Sequence, residues 1–74
     1  MDEKKQHIKG YRELSDSEID MINRIKEEAC AVSVLVENLR NLPGVDQRWV
    51  SIAKTDLQTG FMALTRAVAQ PTTF

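Results

Sequence analysis

The residues able to do chemistry in this chain are few, and they suit holding a small anion better than turning one over. Nucleophilic catalysis needs a nucleophile, a base and an orienting group held together. The single histidine, His7, stands in an N-terminal arm, and the single cysteine, Cys30, falls beside an apolar helical stripe, where a small buried thiol is expected instead of a reactive one. The carboxylates between residues 16 and 37 read as the solvated face of a helix, and neither a glycine-rich phosphate loop nor a metal-ligand spacing occurs. No catalytic activity and no cofactor are expected.

What remains is a vocabulary of binding. The word Ile8-Lys9-Gly10-Tyr11-Arg12 places the only tyrosine between cations, behind a glycine that lets an arm bend. A ring mounted in this way either lies over a nucleobase, a contact of about 1–3 kcal/mol per base, or packs the arm onto its own helices. Lys26 follows Ile25 by one position and Ile22 by four, so its stem runs along an apolar seam with the ammonium at the edge, as a snorkelling lysine or as an anion contact. Arg66 falls in the last turns of a helix, where a cation also gains from the C-terminal end of the dipole. Arg24, Arg40, Arg48 and Lys54 read as surface charges.

Two helices must position these groups. Ser15 and Glu18 stand three apart ahead of an apolar run, the signature of a capping box. Ile22, Ile25, Ala29, Val32, Val36 and Leu39 then follow 3-4-3-4-3 spacing along one stripe. Pro43-Gly44 breaks the helix and Asp46 caps a second one, in which Val50, Ala53, Leu57, Gly60, Leu64 and Ala67 repeat the spacing before Pro71 ends it. The fold class is therefore all-α: an antiparallel helical hairpin over residues 15–71, with helices at about 16–41 and 46–70, a short N-terminal arm over 1–14 and a tail over 72–74. Gly60 inside a helix costs about 1 kcal/mol relative to Ala, which suggests that another backbone approaches closely there.

At 74 residues with one cysteine and one histidine, disulfides and metal cannot supply the stability that so small a core lacks, and self-association is the remaining source. Val34, Leu35, Trp49, Ile52, Phe61, Met62 and Val68 lie off the two stripes and would face water in a lone hairpin, so they are expected at an interface with other copies. No stretch approaches a membrane span or a signal-peptide apolar region. A net charge of −1 gives no long-range field for a nucleic-acid polymer, so an anion site must be local.

The words Ile8-Lys9-Gly10-Tyr11-Arg12-Glu13-Leu14-Ser15 and Gln58-Thr59-Gly60-Phe61-Met62-Ala63-Leu64-Thr65-Arg66-Ala67-Val68-Ala69-Gln70-Pro71 resemble the phage anti-CBASS cyclic-nucleotide sponge family, whose helical hairpin is shared with an anti-Thoeris sponge. The similarity runs from Lys9 to Phe74. It implies a compact homohexamer in the host bacterial cytoplasm that sequesters cyclic dinucleotides and cyclic trinucleotides without cleaving them, and so blocks CBASS defence. By the same resemblance Tyr11 stacks on a purine, Lys26 pairs with the phosphate–ribose ring, Arg66 with Thr65 beside it touches phosphate or base, and Gly10 and Arg12 line the arm. Symmetry agrees with this: a cyclic dinucleotide suits a two-fold axis and a trinucleotide a three-fold axis, and six subunits in dihedral symmetry supply both. The competing reading is a structural or regulatory coiled-coil interaction module, which the stripes explain equally well. A DNA-binding helix-turn-helix is a weaker third, for want of clustered basic residues.

Overall fold

The computed structural model describes residues 12–72, and these form two helices, α1 (Asp16–Arg40) and α2 (Gln47–Ala69), packed as a hairpin with no strand among the described residues. Local chemistry sets each helix end. At the start of α1 the Glu18 N–H donates to Ser15 Oγ at 3.2 Å while the Ser15 N–H donates to Glu18 Oε1 at 2.8 Å, so the capping box read from sequence is present. Asn41 ends the helix by donating both its backbone N–H and its side-chain amide to the Glu37 carbonyl, each at 3.1 Å. The turn passes through Gly44 at φ 87, a left-handed conformation that suits a residue without Cβ. Asp46 then caps α2, its Oδ1 accepting from Arg48 N at 3.0 Å and Trp49 N at 3.4 Å. At the far end Gln70 turns left-handed (φ 45) as the C-cap, and Pro71 prevents continuation.

The α1 stripe faces its partner helix as expected: Ile22, Ile25, Ala29, Val32 and Leu39 are half-buried and Val36 is buried. The α2 stripe does not. Of Val50, Ala53, Leu57, Gly60, Leu64 and Ala67, only Val50 is buried and the other five are exposed. Phe61, Thr65 and Val68 are half-buried in their place, so the contact face of α2 runs Val50, Leu57, Phe61, Thr65, Val68. Of the face named from spacing, Val50 and Leu57 share this contact face, while Ala53, Gly60, Leu64 and Ala67 are turned outward. Nor, among the described residues, does any backbone approach Gly60, where an added Cβ would meet nothing within 4 Å. Cys30, expected as a buried thiol, is exposed.

Only Val36 and Val50 are buried among the described residues, at 7% and 6% exposure. Ile19, Met21, Val34 and Leu35 on α1 and Trp49, Met62 and Leu64 on α2 stay exposed, Met62 at 71%. Two side chains are a very small core for a domain of this length. Among the described residues, the outward apolar faces are therefore a source of stability that the single hairpin leaves unused.

Candidate functional site

Arg40 fixes the register of the hairpin by donating from Nη2 to Ser51 Oγ at 3.3 Å. Because the helices run antiparallel, each step back along α1 matches a step forward along α2. Glu37 thus lies level with Lys54, Ser33 with Gln58, and Lys26 with Thr65. All six, together with Arg66, line one groove of about 1050 Å³ between the helices. Its floor is apolar, formed by the α1 stripe with Leu57 and Phe61.

The charge of the groove is set against that of the chain. Lys26, Lys54 and Arg66 line it with one carboxylate, Glu37, a local excess of positive charge in a chain of net charge −1. Neither Lys26 nor Lys54 is held in an ion pair among the described residues. Several hydroxyls along the groove are committed as donors: Thr65 Oγ1 donates to the Phe61 carbonyl at 3.1 Å, Ser33 Oγ to Cys30 at 2.7 Å and Thr59 Oγ1 to Thr55 at 3.0 Å. Their oxygens remain as acceptors, so attraction for an anion must come from the cations.

Of the residues expected at a site, Lys26, Thr65 and Arg66 come together in this groove. Gly10 and Tyr11 lie outside the described residues. Arg12 is engaged elsewhere, at the open end of the hairpin. Its Nη1 and Nη2 donate to Glu18 Oε1 and Oε2 at 3.2 and 2.7 Å, Nη2 also donates to the Val68 carbonyl at 2.9 Å, and Nε donates to the Ala69 carbonyl at 3.1 Å. The fork satisfies carbonyls left open where α2 ends and a carboxylate at the positive end of α1. The Arg12 guanidinium first, and then the Ser15 N–H, hold the Glu18 carboxyl at about 2, and the Arg12 pKa is raised in return, chiefly by the hydrogen bond to Glu18.

Lys54, which reads from sequence as a surface charge, and Glu37, which reads as part of a solvated face, are both exposed, and both also line this groove. The signal was available: Lys54 stands four after Val50 and three before Leu57, the same edge-of-seam spacing that singled out Lys26. No group of metal-ligating side chains occurs among the described residues, and no described helix is long and apolar enough to cross a membrane.

Comparison with known proteins adds the family. The model of the Acb2/Tad1 hairpin domain matches residues 3–69. The chain is also 36% identical to Anti-CBASS protein 2 of Pseudomonas phage JBD67, over 105 aligned residues that cover 96% of this chain and 97% of that protein. The alignment is longer than the chain itself, so that relative carries residues with no counterpart here. With a family match over most of its length and a relative of this similarity, the chain belongs to the phage anti-CBASS Acb2/Tad1 hairpin family.

Proposed function

We propose that this protein is a phage immune-evasion factor that acts in the host bacterial cytoplasm by binding and sequestering cyclic oligonucleotide second messengers, cyclic dinucleotides and cyclic trinucleotides, without cleaving them. The observation that carries this reading is the groove in which Lys26, Thr65 and Arg66 meet over an apolar floor. The cations lining it can hold phosphate there while bases lie against carbon, the division of labour that small-ligand sites use. The name of the phage relative, an anti-CBASS protein, supports the biological role.

The sponge is a homohexamer, with residues 1–14 as an arm that brings Gly10 and Tyr11 over the ligand and residues 15–71 as the hairpin that assembles. The two-residue core and the outward apolar faces support assembly, since six copies bury what one copy exposes. The same faces are what a structural or regulatory coiled-coil module would use, so the ligand decides between the readings. The experiment is native mass spectrometry of the protein mixed with cyclic and linear dinucleotides, followed by heating and analysis of the released nucleotide. Sequestration gives a complex with the cyclic ligand and intact ring after heating. Linearised nucleotide would mean a nuclease, and no complex with any ring would leave the interaction module.

A further inference from the structure

The groove has two chemically different ends. One holds Lys26 level with Thr65 and next to Arg66, two cations with no carboxylate among the described lining residues there; the other holds Lys54 level with Glu37, one turn from Ser33 and Gln58. The rungs lie 11 residues apart along each helix, about 16 Å at 1.5 Å per residue. At the second end the charges cancel, which makes it a poor place for a phosphate. Lys54 and Glu37 are nonetheless in no ion pair with one another and in no side-chain hydrogen bond among the described residues, so donor and acceptor both stay open toward the groove.

A neutral end that offers a cationic donor beside an acceptor-only carboxylate matches the edge of a base. Among the common bases guanine alone places a carbonyl next to two adjacent N–H donors, the ring N1–H and the exocyclic amine. A carboxylate accepts two such donors in parallel, and lysine is a regular partner of the guanine carbonyl oxygen. Adenine, cytosine and uracil each set an acceptor beside their donor, which would leave one carboxylate oxygen facing a lone pair.

Resting on the sponge reading above, we infer that Glu37 and Lys54 form the base-reading end of the groove and select rings that contain guanine. Glu37 accepts from N1–H and the exocyclic amine, Lys54 donates to the carbonyl oxygen, and the phosphates lie toward Lys26 and Arg66. The groove's volume, about 1050 Å³, stands at the upper end of the roughly 300–1000 Å³ of small-ligand sites, which leaves room for a base at this end while the rest of the ring lies at the other.

Isothermal titration of the full chain with the cyclic dinucleotide of two guanosines and with that of two adenosines tests this, using wild type, Glu37→Gln and Lys54→Met. The wild type is expected to prefer the guanine ring by about tenfold, the weight of a charged hydrogen bond. Glu37→Gln is expected to erase the preference by weakening the guanine ring alone, and Lys54→Met to weaken it in the same direction, with circular dichroism melts unchanged. Equal affinities for both rings in the wild type, or a Glu37→Gln variant that keeps the preference, would overturn the inference and leave the sponge reading standing. Failure of the wild type to bind either ring would overturn both.

Discussion

Arg12 and Glu18 meet through two nitrogen–oxygen contacts, at 2.7 and 3.2 Å, and the same guanidinium reaches the carbonyls of Val68 and Ala69. One side chain therefore joins the N-terminal cap of α1 to the last turn of α2, at the end of the hairpin opposite its connecting turn. Replacing Arg12 by alanine leaves those carbonyls to water and frees Glu18 for its capping role alone. Arg12→Ala should lower the thermal midpoint by about 5 °C at fixed protein concentration. Arg12→Lys should recover less than half of the loss, because an ammonium lacks the planar fork that reaches a carboxylate and two carbonyls together. A lysine variant as stable as wild type, by differential scanning calorimetry, would show that charge alone suffices.

Acid should expose the same contact. The Glu18 carboxyl sits at about 2 in the folded chain against an ordinary value of 4.5. A carboxyl whose pKa is depressed by folding stabilises the fold fully above its unfolded value, and that contribution fades as pH falls through the folded value. The contribution of Glu18 is thus complete above pH 4.5 and is lost toward pH 2. Melts collected between pH 2 and pH 6 should show the gap between wild type and Glu18→Gln narrowing across this window. A gap that stays constant with pH would mean that the pairing with Arg12 does not perturb this carboxyl in solution.

The hairpin was legible in the sequence because its punctuation is chemical: Ser15 with Glu18 and Asp46 start helices by hydrogen bonds to open N–H groups, and Pro71 stops one because it has no N–H to give. The outward face of α2 was misread for a physical reason. Ala53, Gly60, Leu64 and Ala67 continue the spacing set by Val50 without a polar interruption, whereas the contact face carries Thr65 and runs alongside Lys54 at the rim of the groove. Spacing alone finds the uninterrupted stripe, which need not be the one that faces the other helix. The site was legible where a cation borders a seam, as with Lys26. It was not legible at Glu37, whose neighbour Lys54 becomes apparent only once the Arg40–Ser51 bond sets the register.

The outward stripe makes its own prediction. Gly60 has open space around it among the described residues, so Gly60→Leu fits the hairpin and improves local helix propensity. If copies pack through Ala53, Gly60 and Ala67, a leucine there holds the backbones apart. Native mass spectrometry should then report species smaller than the wild-type assembly, while circular dichroism retains its helical signal. An unchanged assembly in this variant would direct attention to the exposed patch of α1 around Val34 and Leu35.

Binding gives the last prediction, because the groove separates attraction from assembly. Lys26 and Arg66 line the cavity, and Lys26 is exposed. Lys26→Ala should therefore weaken a cyclic dinucleotide by about tenfold, as expected for the loss of one charged contact to phosphate, with the oligomer intact. Tyr11→Ala should do the same by removing a stacking surface. The two losses should differ in salt dependence: removing Lys26 makes binding less sensitive to ionic strength, since one fewer cation attracts the ring, whereas removing Tyr11 leaves that sensitivity as it was. Titrations at low and high salt would distinguish them. Identical salt responses in both variants would mean that Lys26 acts through packing of its stem along the seam and not through its charge.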